Sequence, residues 1–261
     1  ERERGFFDSA GWREISLTET PKKSTVDTVA IIPCYDVADF CGQVVQQTLN
    51  CVDHVIAIND GSTDATGEVL ARLAAQLPHK LTVITFPHNR GKGMALMAGF
   101  CEALNRFDFI TLVTLDADGQ HPCADIPHLV KKIVSGAEMA IGERQVRLMP
   151  GRSRLGNTLA TGALRWLYPQ APTDTQSGMR AFTQEFIEEI VRVVPGSRYE
   201  TEFQILLLAL SKKRRIATVS IPTIYIDNNR SSKYRPVADS LRIMRALIHW
   251  RIRHIIPAKA S

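Results

Sequence analysis

The feature that most constrains the fold is a repeated unit between residues 28 and 142. Each unit joins a short apolar run rich in β-branched residues, a polar turn and a segment with helical spacing of apolar residues. Alternation of this kind predicts an α/β fold with a mainly parallel sheet, flanking helices and right-handed crossovers. The predicted strands are Thr28–Pro33, His54–Ile58, Leu81–Phe86, Phe109–Val113 and Glu138–Gly142.

Composition and charge suggest three segments. The 261 residues, 44% hydrophobic, allow one large core, and we predict a polar arm over residues 1–25, one domain over 26–235 and a basic amphipathic helix over 236–261. Residues 212–261 carry 12 Lys and Arg against 2 Asp and Glu, whereas the rest carries 20 against 25. A basic tail favours a phosphorylated substrate, anionic lipid or nucleic acid, but the chain lacks the aromatic-interleaved basic motif typical of nucleic-acid binding.

Two aspartates, Asp116 and Asp118, directly follow one of the predicted strands. Side chains alternate along an extended chain, so both aspartates should face one side with Ala117 facing away, and Gly119 lets the chain turn so that Gln120 approaches the same point. Ligands bind at the carboxyl ends of strands in open α/β sheets. Two carboxylates and an amide oxygen suit Mg²⁺ or Mn²⁺, although a simple polar loop would contain the same residues.

A second acidic loop, Asn59–Asp64, follows another predicted strand. In a parallel sheet Asp60 would project from the same edge as Asp116, where a carboxylate could accept a hydrogen bond from a nucleobase or a ribose hydroxyl. Turn formation and helix capping explain the same residues equally well when the loop is considered alone.

Four motifs in fixed order narrow the choice: Pro33–Asp36, Asn59–Asp64, Asn89–Gly93 and Asp116–Pro122. With these motifs the chain resembles family 2 inverting glycosyltransferases of the GT-A fold, and within them the dolichyl- or polyprenyl-phosphate hexose (mannose or glucose) synthases. The resemblance extends over residues 28–233. A later segment, Asp174–Arg180, looks like the Ser-Gly-Phe-Arg region of the polyprenyl-phosphate branch.

This resemblance implies a GDP- or UDP-hexose donor, a divalent cation, Mg²⁺ or Mn²⁺, and a lipid-linked acceptor. The residues expected at the donor are Pro33, Tyr35, Asp36, Asp60, Lys92, Asp116 and Ala117. Those expected at the metal are Asp116, Asp118 and Gln120. Those expected in catalysis or phosphate contact are Asp118, Arg144, Asp174, Arg180, Glu202 and Lys233. The chain departs from the family pattern at Asp36-Val37, where Asn-Glu is usual.

The acceptor decides whether a general base is needed. A phosphate monoester is largely ionised at neutral pH, since its second pKa is about 6, and requires only binding and aiming. Its candidate clamps are Arg152, Arg154, Arg180 and Lys233. A hydroxyl acceptor must lose a proton, for which the candidate bases are Asp174, Glu200 and Glu202. We predict a polyprenyl-phosphate acceptor, with a hydroxyl acceptor as the alternative and a non-catalytic nucleotide-sugar-binding module as the least favoured reading.

The location follows from the tail and from the apolar runs. No run of about 18 apolar residues and no signal peptide is visible, so we expect no membrane span. Segment Val237–Ile256 combines apolar residues at helical spacing with arginines and Trp250, which suits a membrane interface, although such a helix could also pack on the domain. We predict a cytoplasmic protein attached peripherally to the inner face of the membrane, with five cysteines as free thiols.

Overall fold

The computed structural model describes residues 6–8, 11–13, 23–144, 161–162, 164–196 and 200–222. Its strands are β1 (Phe6–Asp8), β2 (Gly11–Arg13), β3 (Ser24–Cys34), β4 (His54–Asn59), β5 (Leu81–Thr85), β6 (Phe107–Thr114), β7 (Met139–Arg144), β8 (Arg180–Thr183) and β9 (Ile216–Ile221). Its helices are α1 (Ala38–Leu49), α2 (Thr66–Gln76), α3 (Lys92–Arg106), α4 (Ile126–Val134), α5 (Gln184–Val193) and α6 (Glu200–Ser211). Residues 161–162 and 164–167 are also helical.

The large sheet has the order β5-β4-β3-β6-β8-β7-β9. Every neighbouring pair is parallel except those that include β8, which runs antiparallel to both β6 and β7. The predicted mainly parallel α/β sheet is therefore confirmed. Sequence analysis missed β8, because a strand of 4 residues is too short to display a period of two.

Helices cover both faces of this sheet. Alternate residues of β3 supply the two cores: Val29 and Ile31 pack with α3, α5 and α6, whereas Ala30 and Ile32 pack with α1, α2 and α4. Strand β4 is buried along its whole length. Burial on both faces explains why these strands are continuous apolar runs in the sequence.

The register brings the carboxyl ends of the parallel strands to one edge. Cys34 of β3 lies opposite Asn59 of β4, and Ile31 lies opposite Thr114 of β6. The loops that carry Asp60 and Asp116 therefore leave from the same edge, as predicted. Because β8 runs the other way, it begins at this edge, where Arg180 pairs with Thr114, and the loop before β8 reaches the same place.

Several predictions concern residues outside the described ranges. These are the clamps Arg152, Arg154 and Lys233 and the amphipathic helix over residues 236–261. Within the predicted arm over residues 1–25, β1 and β2 pair as an antiparallel hairpin. All five cysteines are free. Among the described helices, none is both long and apolar enough to cross a bilayer.

Candidate active site

The loop after β6 adopts the predicted turn. Asp116 and Asp118 are half-buried, while the intervening Ala117 is 3% exposed and packs into the core. Gly119 has a φ of 74°, and this left-handed conformation lets the Gln120 N–H donate to Asp118 Oδ1 over 3.0 Å. The two aspartates therefore lie at the carboxyl edge of the sheet, whereas the side chain of Ala117, which was predicted to lie at the nucleotide-sugar donor, packs into the core.

Asp116 is held by two basic side chains. Lys92 Nζ lies 2.5 Å from Asp116 Oδ1, and His121 Nε2 lies 3.5 Å from Asp116 Oδ2. Burial opposes ionisation, but Lys92 and His121 outweigh it and hold the pKa of Asp116 well below its usual range. For Lys92, burial is likewise outweighed by Asp116 and Glu202, which raise the pKa of the ammonium. Both groups are charged at neutral pH.

Among the described residues Asp118 forms no salt bridge with a basic side chain, and its pKa shifts in the opposite direction. Burial and the adjacent Asp116 carboxylate raise the pKa of Asp118 above its ordinary value. A divalent cation beside Asp118 would relieve this repulsion, and carboxylate and amide oxygens are the ligands it prefers. Within the described residues no group of three or more His, Cys, Asp or Glu could hold a metal ion. Asp118 and Gln120 thus fit a cation that takes its remaining ligands from substrate and water.

The loops after β3, β4 and β5 are fastened to one another by carboxylates that accept backbone hydrogen bonds. Asp60 is 2% exposed and accepts from Arg90 N over 2.7 Å and from Gly91 N over 2.9 Å. Asp36 accepts from Thr63 N over 2.8 Å. Asp36 and Asp60, both predicted to contact the nucleotide-sugar donor, therefore hold these loops together. The predicted Pro33 and Tyr35 lie beside them at the end of β3 and are half-buried.

The loop before β8 is fastened to β7 by side chains. Arg144, at the end of β7, donates from Nε to Asp174 Oδ2 over 2.6 Å and from Nη2 to Asp174 Oδ1 over 3.1 Å. Asp174 is 0% exposed. A fully buried carboxylate with both oxygens on a guanidinium orients that guanidinium and is poorly placed to accept a substrate proton.

Arg180 lies beneath the same loop. It is 1% exposed, and its guanidinium donates to the backbone carbonyls of Ser177, Glu202 and Thr175 over 2.8, 2.6 and 2.9 Å. Nε, Nη1 and Nη2 each donate to the protein backbone. Arg180 was predicted to contact phosphate, but these hydrogen bonds favour a role in positioning the loop before β8.

Gly178, in the Ser-Gly-Met-Arg segment, lies directly against Asp116. A Cβ atom at this position would collide with the Asp116 carboxylate. Its carbonyl accepts from Thr114 Oγ1 over 3.0 Å. The close approach explains why glycine is needed here and places the loop before β8 against the predicted metal loop.

Glu202, in the first turn of α6, completes the cluster. Its Oε2 lies 3.0 Å from Lys92 Nζ, and its Oε1 is buried without a hydrogen-bond partner among the described residues. Sequence reasoning had selected Glu202 and Lys92 separately and had not linked them. His121, which contacts Asp116, was not predicted as a site residue, although it lies in the Asp116–Pro122 motif. Glu200, the other predicted base in this turn, also has a buried oxygen, Oε2, without a partner.

Comparisons with known proteins agree with this geometry. The family model for glycosyl transferase family 2 matches residues 29–190. Polyprenol monophosphomannose synthase of Mycolicibacterium smegmatis is 28% identical over 253 residues, which cover 93% of this chain and 94% of that protein. The UDP-N-acetylglucosamine–dolichyl-phosphate N-acetylglucosaminyltransferase of Methanococcus voltae is 30% identical, over 76% of this chain and 85% of the relative.

A solved structure gives the same fold. Glucosyl-3-phosphoglycerate synthase of Mycobacterium tuberculosis, crystallised with Mn²⁺, UDP-glucose and phosphoglyceric acid, superposes with a TM-score of 0.66 at 18% identity. The match covers 90% of this chain and 82% of that one. The fold is therefore of the GT-A type, and the chain belongs to glycosyl transferase family 2.

Proposed function

We propose that the protein moves a hexose from a nucleotide-sugar donor, GDP- or UDP-hexose, to a polyprenyl phosphate, with inversion at the sugar and with Mg²⁺ or Mn²⁺. One observation carries the proposal. Asp116 and Asp118 stand at the edge of the sheet together with Lys92, and Arg144 ends the nearby strand β7. A carboxylate pair beside cationic groups suits a diphosphate that is bound through a cation.

The chemistry follows from charge. Breaking the bond between the sugar and the diphosphate leaves a nucleoside diphosphate whose negative charge grows in the transition state. Lys92 and Arg144 are the described cationic side chains at this edge that could stabilise that charge. A divalent cation held by Asp118 and Gln120, with Asp116 beside them, would supply further charge stabilisation. Lys233 is a further proposed phosphate contact, and it lies outside the described residues.

The described carboxylates favour a phosphate acceptor. Asp174 uses both oxygens on Arg144, and Glu202 has Oε2 on Lys92. A phosphate monoester is already ionised at neutral pH and needs no base, so a site whose acids are engaged in this way suits it. Two relatives are named for polyprenol and dolichyl-phosphate products or acceptors, which supports the same choice.

One observation favours the alternative of a hydroxyl acceptor. The Oε1 atom of Glu202 is buried and accepts no hydrogen bond from any described residue, so this oxygen could receive a proton from a hydroxyl group. In that case Glu202 would act as the general base with the same donor chemistry. A nucleotide-sugar-binding module without turnover is the least favoured reading.

Peripheral attachment to the inner face of the membrane is part of the proposal. A polyprenyl chain stays in the bilayer, so the enzyme has to work at its surface. Trp166, in the helical stretch over residues 164–167, is 79% exposed, and an exposed tryptophan suits the membrane interface. The basic tail would add attraction to anionic lipids.

The test is an acceptor exchange. The full chain is incubated with labelled UDP- and GDP-hexoses, Mg²⁺ or Mn²⁺, and either polyprenyl phosphate or hydroxyl compounds. We expect a cation-dependent product with polyprenyl phosphate only, with the opposite anomeric configuration to the donor. Transfer to a hydroxyl acceptor without transfer to polyprenyl phosphate would establish the alternative, and donor binding without any product would establish the binding module.

A matched pair of variants accompanies this assay. Asp118→Ala removes the proposed metal ligand at the carboxyl end of β6 and should abolish cation-dependent transfer. Asp108→Ala removes an exposed carboxylate at the other end of the same strand, where Asp108 forms a salt bridge with Lys23 over 3.6 Å. Asp108→Ala should keep full activity. Equal activity of the two variants would contradict the metal assignment.

A further inference from the structure

A cationic side chain, that of Lys92, already contacts Asp116. The Lys92 ammonium lies between two carboxylates, 2.5 Å from Asp116 Oδ1 and 3.0 Å from Glu202 Oε2. The exposed fractions of the three side chains are 19% for Lys92, 29% for Asp116 and 12% for Glu202. In this partly buried setting the ammonium neutralises the charge that would otherwise attract a divalent cation.

The fold fixes the backbone of Lys92, whereas the ammonium lies at the end of a flexible side chain. Lys92 is the first residue of α3, and Asp60 holds the two preceding residues by accepting from Arg90 N and Gly91 N. The side chain itself has four flexible carbon atoms and a compact charge. The ammonium can therefore change partners without any movement of the helix.

Glu202 has spare capacity for this ammonium. One of its oxygens already contacts Lys92, and the other, Oε1, is buried with no hydrogen-bond partner in the part of the chain that the structure describes. An ammonium carries three donors, so a second N–H from Lys92 could satisfy that oxygen. If Lys92 left Asp116, Glu202 would keep it inside the site.

We propose that Lys92 competes with the divalent cation for Asp116 in the ligand-free enzyme, and that Glu202 positions the displaced ammonium to meet the donor diphosphate. This inference rests on the proposed metal site and adds that metal binding depends on where the Lys92 ammonium lies. Two cations cannot share Asp116 without repulsion, so the metal alone binds weakly. The donor phosphates give Lys92 a new partner, so metal and nucleotide bind cooperatively, and by linkage each strengthens the other.

Direct binding of Mn²⁺ tests the competition. Mn²⁺ bound to the full chain is measured from the free-ion electron paramagnetic resonance signal, without nucleotide and then with UDP or GDP. We compare the unchanged protein with Lys92→Met, which keeps an apolar side chain of similar length, and with Lys131→Met, which neutralises an exposed lysine on α4. Lys92→Arg keeps the charge and serves as the conservative variant.

Without nucleotide, Lys92→Met should bind Mn²⁺ about tenfold more tightly than the unchanged protein, a typical size for coupling between two ligands. Lys131→Met and Lys92→Arg should bind like the unchanged protein. Adding UDP or GDP should strengthen Mn²⁺ binding by the unchanged protein more than by Lys92→Met. If Lys92→Met does not fold, Lys92→Gln gives the same comparison, because a neutral amide can hydrogen-bond to both carboxylates.

The outcomes separate this inference from the proposed function. Equal or weaker Mn²⁺ binding by Lys92→Met, with binding still lost in Asp118→Ala, would overturn the competition and leave the metal site standing. Absence of Mn²⁺ binding by every one of these proteins would overturn the competition and the metal assignment together. The acceptor assay is independent of both results.

Discussion

The two halves of the site edge are held together in different ways. The early loops, residues 35–37, 60–65 and 86–91, are joined by carboxylates that accept from backbone N–H groups, as when Asp60 binds Arg90 N and Gly91 N. The late loop, residues 171–179, has one contact of that kind, from Thr173 N to Glu143 Oε1, but it is also held by two guanidinium groups. Arg144 donates two side-chain hydrogen bonds to Asp174, and Arg180 donates to three backbone carbonyls.

This difference concerns which residues are replaceable. Every residue except proline has a backbone N–H, so for each of these hydrogen bonds only the carboxylate has to be of one type. In the late loop both partners of the Arg144–Asp174 pair are side chains, and Arg180 reaches carbonyls that no shorter side chain in its place would contact. The Arg144–Asp174 contact therefore depends on the identity of both residues, whereas each carboxylate contact of the early loops depends on one.

The largest effect is expected for Arg180→Met. This change removes a buried guanidinium and leaves three carbonyls without their donor, so unfolding should become easier by about 3–5 kcal/mol. Urea denaturation measures the change. Hydrogen exchange should show faster exchange in the late loop, while the early loops keep their protection.

Arg192→Met is the control for this variant. Arg192 is exposed and donates to one backbone carbonyl, that of Glu188, over 2.9 Å. We expect a change within about 0.5 kcal/mol. Equal destabilisation by the two variants, or faster exchange spread over both sets of loops, would contradict the distinction between them.

The second prediction concerns Asp60→Ala, which removes the carboxylate that joins the loop after β4 to the loop after β5. The backbone N–H of Gly91 is buried and would lose its acceptor, together with that of Arg90, which should cost about 2–3 kcal/mol. Because Lys92 follows these residues, nucleotide affinity should fall as well. Denaturation and calorimetric titration with UDP and GDP measure the two effects.

Asp53→Ala is the matched control for Asp60→Ala. Asp53 also accepts two backbone N–H bonds, from Asp27 and Thr28, each over 2.9 Å, but it is exposed and lies before β4. Its loss should weaken stability by about 1 kcal/mol or less and leave nucleotide affinity unchanged. A loss of nucleotide affinity in Asp53→Ala would show that the effect is not local to the early loops.

Sequence reasoning succeeded where local pattern decides the structure. The strands and helices between residues 28 and 142, the shared edge of Asp60 and Asp116, and the turn at Gly119 follow from apolar period and turn chemistry. Strand β8 was missed because its 4 residues are placed by their neighbours in the sheet.

The roles of individual charged residues were harder to foresee. The sequence does not distinguish a solvent-exposed arginine from a buried one such as Arg180, which is 1% exposed. The partners Arg144 and Asp174 are 30 residues apart, and Lys92 and Glu202 are 110 apart. Such pairs depend on the packed topology and have no local signature in a single sequence.

The third prediction concerns Asp174→Asn, which tests the side-chain grip on the late loop. The amide keeps the shape but loses the charge that holds Arg144, so stability should fall by about 1.5–3 kcal/mol. If Asp174 orients Arg144 toward the donor, kcat should also fall, with the pH profile otherwise unchanged. Steady-state kinetics over a pH series measures this, and unchanged kcat would contradict the positioning role.

The smallest effect is expected at the other end of β7, where Glu138 forms the same kind of pair. Glu138 accepts from Arg214 Nη1 over 2.5 Å and from Arg215 N over 3.0 Å. Partial burial acts against it, but these donors hold the pKa of Glu138 below its usual value. The stability from Glu138 is therefore present above its unfolded pKa of about 4.3 and is lost as the pH falls through its folded pKa.

Glu138→Gln should destabilise the protein by about 1 kcal/mol at pH 7, because Arg214 and Arg215 remain partly solvated. The difference from the unchanged protein should shrink as the pH falls below about 4.3 and then through the lowered folded pKa of Glu138. Urea denaturation at pH 7, 5 and 3 measures it, with transferase activity at pH 7 as the second readout. Activity should be unchanged, because this arginine–carboxylate pair lies away from the site edge. A loss of activity equal to that of Asp174→Asn would mean that the Glu138–Arg214 and Asp174–Arg144 pairs both affect activity only through overall stability. The late loop would then have no separate role in positioning Arg144.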